Sequence, residues 1–401
     1  MRILFVSTSI PPATDMQTTR NIYLISSLLA KGHKVDILTC GGYKVEGHLF
    51  DNILSETVVY RTKEPWVLRW HKYISTHIKI KLLLKLHNVF INYYAIPDIY
   101  SGWGGIALKY IKENNLFDYD VIITSSGSYT AHEVGNKWKR ISSKTWIAEY
   151  GDPWGLDKYG NINRLYYKLE KPLMSICDGF VFTTQSTIDA YKKHYNAGIP
   201  YALVPCGFGE PINDNKSLNL SNKLLFTYTG VAFKRDRNLS DFITSVKENR
   251  RISAMLVGTI SDDVKAQCAN LENITITGRV PYEKSLEIIG ASDVLVHIGN
   301  LGTMQVPGKT YIYLSSKKPI LYIQQQPNND PTLDVLKQFE GVVSCKNNLD
   351  EITNAISYIQ LNYSELKSKA EKRFNSDLLK SYSWTRLGNI FEEFVTKITK
   401  I

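Results

Sequence analysis

The feature that most constrains this chain is its opening. Ile3-Leu4-Phe5-Val6 is an unbroken apolar run. A strand with one wet face alternates polar and apolar residues. A continuous run instead marks a strand buried on both faces, the situation of parallel strands covered by helices. The following residues agree. A polar loop carrying Pro11 and Pro12 leads to Ile22, Leu24, Ile25, Leu28 and Leu29 at helical spacing. Gly32 ends that helix where the chain must turn through positive φ. Val35, Ile37 and Leu38 then form a second strand. This is a βαβ unit with a right-handed crossover, and it predicts an α/β fold with a doubly wound sheet.

The pattern recurs. Val121-Ile122-Ile123-Thr124 reads as a strand ending in Ser125, Ser126, Gly127 and Ser128, with a helix from about Tyr129. Residues 145–148, 179–182 and 201–204 read as further strands. Residues 210–222 are polar, contain Pro211 and read as a linker. A second alternation follows, with strands at 224–229, 254–257, 274–277, 294–296 and 320–323 and helices at 241–248, 282–289 and 350–359. With 401 residues the chain is too long for one ordinary domain. The expectation is two Rossmann-like doubly wound domains facing a cleft, 1–209 and 210–383. A last helix, 384–401, has Leu387, Ile390, Phe391 and Val395 on one face and is expected to pack back onto the first domain. In such sheets ligands gather beyond the carboxyl ends of the strands.

Composition narrows the partners. The formal net charge of +10 favours anionic ones, although no nucleic-acid recognition motif is present. The five cysteines are scattered, which argues against a zinc site or a disulfide framework. No apolar run approaches the ~18 residues of a membrane span, and Ile3–Val6 is too short for a signal-peptide core. The expectation is a cytoplasmic protein, working at the inner face of the cytoplasmic membrane. That last element comes from residues 61–94, which do not fit the sheet pattern. Trp66, Arg69, Trp70, His71, Lys72, Tyr73, Lys79, Lys81 and Lys85 alternate there with Leu82, Leu83, Leu84, Leu86, Val89, Phe90 and Ile91. Cationic helices rich in Trp and Leu lie in membrane interfaces. The other reading is a helical insertion packed on the sheet with its lysines in water.

Several segments, taken in order, resemble the family-4-like GT-B glycosyltransferases of bacterial surface-polysaccharide synthesis. They are residues 1–7 with Pro11-Pro12, Glu149-Tyr150-Gly151-Asp152-Pro153-Trp154, Leu169-Glu170, Cys177-Asp178-Gly179, Val204-Pro205-Cys206-Gly207-Phe208, Tyr228-Thr229-Gly230, Gly278-Arg279-Val280-Pro281, Ala291-Ser292-Asp293 and Val306-Pro307-Gly308-Lys309. The similarity spans nearly the whole chain. It implies an acceptor-side first domain and a second domain that binds a nucleotide-sugar donor. It implies a retaining hexosyltransferase acting on a glycan or polyprenyl-linked acceptor such as a capsule or O-antigen intermediate. Two other readings stay open: a catalytically inactive GT-B protein serving as a scaffold or binding partner, and another GT-B enzyme such as a sugar-nucleotide epimerase.

The chemistry needs a counter-charge for a leaving diphosphate, from a metal or from basic side chains and helix N-termini. Asp118-Tyr119-Asp120 has an Asp-x-Asp pattern but precedes its strand, the wrong end for a ligand, so no metal and no cofactor is expected. The resemblance assigns the diphosphate to Arg237 in the loop after Gly230, with Arg235 and Lys234 as competitors. Arginine's planar fork suits phosphate. The loop 302–310, with Thr303, Gln305, Gly308, Lys309 and Thr310, is expected to present backbone N–H groups to an anion as it enters a helix at 311–316. Arg279 and Val280 are expected at the nucleobase. His132 matches the family histidine at the transferred sugar; the plainer reading is a structural one. Asp152 is expected to orient or deprotonate the acceptor hydroxyl, or to cap a helix. Met304 and Ile312 stand where the family has two glutamates, the second of which binds ribose; Thr303 and Gln305 are candidate substitutes. Asp15 to Arg20 replaces a glycine pair, and Gly151 an arginine.

Overall fold

The computed structural model describes residues 1–41, 50–78, 80–195, 198–212, 214, 223–233, 237–326 and 328–400. The chain forms two units, one of Met1–Pro205 with Leu387–Ile401 and one of Cys206–Arg386. These boundaries lie a few residues from 209/210 and 383/384, and local bonds show why. Arg20 grips the carbonyls of Val204 and Pro205, both at 2.8 Å, so the first unit keeps them. Phe208 N–H donates to Tyr382 O at 3.2 Å and Trp384 N–H to Phe208 O at 2.9 Å, which ties these residues into the second.

The first unit is built on a seven-stranded sheet. Its strands are β1 (Arg2–Val6), β2 (Lys34–Cys40), β3 (Val59–Thr62), β4 (Val121–Ser125), β5 (Thr145–Tyr150), β6 (Gly179–Phe182) and β7 (Tyr201–Leu203). The order is β3-β2-β1-β4-β5-β6-β7, and each neighbouring pair is parallel. Ile3, Leu4, Phe5 and Val6 have no exposed surface, as an apolar run in a doubly covered strand should. The sequence reversal lies between β1 and β4, so a crevice opens beyond their carboxyl ends. The final helix, Trp384–Thr399, gives Leu387 onward to this unit. Glu392 Oε1 there lies 2.9 Å from His33 Nε2.

The second unit has six parallel strands: β8 (Leu224–Ala232), β9 (Ile252–Ile260), β10 (Ile274–Gly278), β11 (Val294–Ile298), β12 (Ile320–Gln324) and β13 (Val342–Lys346). Their order is β10-β9-β8-β11-β12-β13, again with one reversal, between β8 and β11. Gly230 and Gly258 pair in register between β8 and β9. A Cβ on Gly258 would collide with Gly230 O, and both glycines take positive φ, 128° and 124°, which bulkier residues resist.

The segment from 61 departs from expectation at its start. Arg61 and Thr62 belong to β3, so the sheet continues into it. Two helices then follow, Trp66–His77 and Lys81–Tyr94. Most of the predicted linker 210–222 lies outside the described residues; Ile212 pairs with Ser316.

Candidate functional site

In the second unit the residues converge at the β8/β11 reversal. β8 delivers Tyr228, Thr229 and Gly230; the loop after it delivers Arg237, whose own N–H is fixed on Phe233 O at 2.8 Å. Asn300, in the loop after β11, accepts from Arg237 Nη2 at 2.9 Å and Nε at 3.3 Å. Arg237 thus spans the crevice mouth, with Nη1 3.4 Å from Val231 O. Lys309 comes from the loop entering the short Lys309–Leu314 helix. Its Nζ sits 4.1 Å from the centre of the Tyr228 ring and 3.4 Å from Thr229 O. The residue keeps some exposed surface, but its ammonium is enclosed by protein. Burial first, and then Arg237, push the Lys309 pKa well below the usual lysine range. Among the described residues neither cation forms an ion pair with a carboxylate.

Beneath them lies a buried neutral histidine. His297 Nε2 is 2.8 Å from Thr310 Oγ1 and Nδ1 is 3.1 Å from the Ile298 carbonyl. The carbonyl only accepts, so Nδ1 carries the proton. Burial, helped by Lys309, holds the imidazole pKa well below its normal value. Thr310 is therefore engaged in supporting the site from below.

The remaining expectations for this unit separate. Arg235 and Lys234 lie outside the described residues. Gly302 takes φ 132°, but its N–H is bound by Gln326 Oε1 at 2.9 Å and its carbonyl by Gln326 Nε2 at 2.7 Å, so its donor is occupied. Gly308 has φ −56° and ψ −31°, ordinary helical values, so backbone freedom is not its role. The helix starts at Lys309 rather than Tyr311. Thr303 and Gln305 are half-buried in the same loop. Arg279 is exposed and Val280 half-buried beyond the edge strand β10, two strands from β8. Met304 and Ile312 are buried, and Ile312 is part of the apolar core with Phe208, Leu295 and Tyr313.

At the β1/β4 reversal of the first unit the polar residues satisfy one another. Glu149, at the end of β5, has no exposed surface. Its Oε1 accepts from Arg20 Nε at 2.7 Å, and its Oε2 lies 2.8 Å from Ser125 Oγ and 2.9 Å from Gln17 Nε2. Asn21 joins through Ser125 Oγ at 2.6 Å. A side chain at Gly151 would run into the Gln17 carboxamide, so Gln17 fills the place an arginine there would need.

His132 is not an open side chain of this crevice. It is fully buried, stacked 4.4 Å from Tyr150, with Nδ1 2.8 Å from Thr124 Oγ1. Burial depresses its pKa to about 3, so it is neutral across the physiological range. Its Nε2, like Ser128 Oγ and Trp154 Nε1, is buried with no partner among the described residues. Asp152 is exposed, in the loop after β5. Asp118 and Asp120 lie before β4, bonded to Arg2 at 2.6 and 2.7 Å.

Sequence reasoning passed over Asn300, Tyr228, His297, Gln17 and Glu149 as functional residues. One signal was available: Glu149 and His297 are polar residues inside apolar strands, an arrangement that demands a partner.

No protein-family model and no curated protein matches the chain. Solved structures do. Sucrose-phosphate synthase from Thermosynechococcus elongatus superposes with a TM-score of 0.69 at 14% identity, over 100% of this chain and 99% of that one. Anabaena HepE in complex with UDP gives 0.70 at 11%, over 100% of both. The pneumococcal O-GlcNAc transferase GtfA in complex with UDP and GlcNAc gives 0.65 at 11%, over 99% of both. The chain has the GT-B fold. Two parallel sheets of seven and six strands, each with one reversal, are the observation that agrees with those neighbours.

Proposed function

We propose that the protein is a glycosyltransferase that moves a hexose from a nucleoside-diphosphate sugar, without a metal and with retention, onto a cell-surface glycan or a polyprenyl-linked acceptor. The observation that carries this is the Arg237–Lys309 pair at the second sheet's reversal: two basic side chains that form no ion pair among the described residues, at the place where α/β sheets take ligands. A diphosphate completes that arrangement, and two fixed positive groups stabilise it as it leaves. The complexes of HepE with UDP-glucose and of GtfA with UDP support a uridine donor.

The test is thermal stabilisation by UDP, GDP, ADP and CMP and their sugar conjugates, with and without EDTA. Stabilisation by one nucleoside diphosphate, indifferent to EDTA and absent in Arg237→Ala, supports the reading. Stabilisation that needs a divalent ion overturns its metal-free part. The inactive-scaffold reading draws on one observation, the apolar Ile312 where a ribose-binding glutamate is expected. Donor binding without turnover of any acceptor would favour it.

The lipid-linked acceptor draws support from the Lys81–Tyr94 helix. Its His87 and Ile91 are buried, and Leu82, Leu86 and Val89 on the opposite side are 66%, 58% and 62% exposed. The face that points away from the protein thus carries these apolar side chains, and Lys72 on the preceding helix is exposed as well. Residues 66–94 hold five Lys and Arg and no Asp or Glu, and Trp66 and Tyr73 are exposed. An anionic bilayer surface at the inner face of the cytoplasmic membrane fits that chemistry. Among the described residues no helix is long and apolar enough to cross a membrane. Sedimentation with anionic vesicles, lost in Leu86→Glu, supports this contact; no sedimentation of the unaltered protein overturns it.

A further inference from the structure

A second buried carboxylate in the first unit forms no ion pair among the described residues. Glu170, on the Arg164–Met174 helix, has no exposed surface. Its Oε2 accepts from Gly155 N–H at 2.9 Å, its Oε1 from the Tyr191 hydroxyl at 2.9 Å, and Tyr195 donates a further bond. Tyr191 also accepts, from Trp154 N–H at 2.9 Å. Two successive backbone N–H groups therefore end on one carboxylate, Gly155 directly and Trp154 through a phenol. A Cβ on Gly155 would collide with the Glu170 carboxylate and the Tyr195 hydroxyl, so glycine is required for the approach.

These bonds hold the far end of the loop that carries Asp152. The near end is held separately: Gly151 N–H donates to Ser126 Oγ at 3.1 Å, and Gly151 O accepts from Thr183 Oγ1 at 3.1 Å. Pro153 O accepts from Tyr129 at 2.8 Å, whose ring stacks on Trp154 at 5.0 Å. Asp152 is the exposed residue between the two anchorages. Burying an unpaired carboxylate is costly, and a leucine would cover the loop as well. What a carboxylate adds is acceptor sites enough for donors from the loop, from the Gln185–His194 helix and from Tyr195 beyond it.

We propose that Glu170 is a positioning residue that, with Tyr191 as relay, fixes the 152–155 loop so that Asp152 meets the acceptor hydroxyl. This rests on the transferase reading for the role of Asp152, but not for the anchoring. The ionised carboxylate accepts all three donors. A protonated one must give up an acceptor site to hold its own hydrogen. Burial raises the Glu170 pKa to about 7 against the pull of those same bonds. The groups that face it, Tyr150, Tyr191 and Tyr195, are all shifted upward by burial and by Glu170 itself, so they stay protonated through that range. Acceptor turnover is then expected to rise with pH through about 7.

The experiment uses Tyr191→Phe, which keeps the ring and removes the relay oxygen, and Glu170→Gln, which keeps the shape and one acceptor oxygen. Amide hydrogen exchange of the full chain reads the anchoring; kcat and KM with donor and acceptor read its use. Expected in Tyr191→Phe are faster exchange at Trp154 and Gly155 and a fall of about 10-fold or more in acceptor kcat/KM, with donor affinity unchanged. In Glu170→Gln the pH limb near 7 disappears. Unchanged exchange at both amides overturns the anchor. Faster exchange in Tyr191→Phe beside an Asp152→Asn variant that turns over acceptor normally overturns the purpose assigned to it. Exchange is measured without substrate, so a failed transferase reading leaves this test standing.

Discussion

The two sheets end alike and are furnished differently. At the β1/β4 reversal a fully buried Glu149 is met by Arg20, Gln17 and Ser125, and the charges cancel inside the protein. At the β8/β11 reversal the contacts that Arg237 and Lys309 make among the described residues go to neutral oxygens. Equivalent positions in one kind of fold thus carry a paired network in one unit and, among the described residues, two basic side chains without a carboxylate in the other. The first is a closed network; the second is the one that, on the function proposed above, a diphosphate completes. The same topology supplies the crevice in both, so it is side-chain chemistry that distinguishes the proposed diphosphate site from the closed one.

The comparison breaks first at Arg20. Removing one member of a buried pair strands the other, at a cost of about 3–5 kcal/mol. Arg20→Met should lower the melting temperature of the protein by many degrees, and denaturant titration would show it. Lys309→Met should do the reverse. Losing an ammonium that forms no ion pair among the described residues leaves stability unchanged or raised, while nucleoside-diphosphate affinity falls by roughly 10- to 150-fold, the worth of ~1.5–3 kcal/mol for a charged hydrogen bond. A variant that unfolds instead would place Lys309 with the structural network.

The pH dependence sharpens the contrast. His132 has its folded pKa depressed to about 3 against 6.5 unfolded. Its neutral form is the one the fold accepts, so its contribution is complete above pH 6.5 and is lost as pH falls toward 3, at about 1.4 kcal/mol per unit. An acid-melting series on His132→Gln should flatten that slope. Lys309 works through binding. Its pKa is lowered in the free protein, and an arriving diphosphate raises it. At pH values between the free and bound ones binding takes up a proton and affinity falls as pH rises; below that range Lys309 is already charged and no proton is taken up. Calorimetry in buffers of different ionisation enthalpy would count that proton, and Lys309→Met should remove it. The smallest effect is expected at Asn300, which only aims Arg237; Asn300→Ala should weaken binding about five-fold, ~1 kcal/mol, with no change in melting temperature.

How much was legible follows from what each residue needed. The interior strands were readable because burial on both faces forces continuous apolar runs, as in Ile3–Val6 and Val121–Thr124. The edge strands β3 and β13 were passed over for the same reason. Val59–Thr62 and Val342–Lys346 are only partly buried, so Arg61 and Ser344 interrupt any run. Arg237 and Lys309 were readable from the order of motifs around them. Asn300, Tyr228 and Gln17 were not, since a neutral polar or aromatic residue at a loop or strand end carries no signal until its neighbour across the sheet is known.

By itself the sequence determined the alternation of strand and helix, the number of doubly wound units and the basic loops, because periodicity and charge are local properties. Tertiary structure alone decided that Glu149 cancels Arg20 across 129 positions, that Ile312 is core, and that Leu82 and Leu86 face outward while His132 is sealed in. Burial and pairing depend on what the folded chain brings alongside a residue, and no window of sequence contains that.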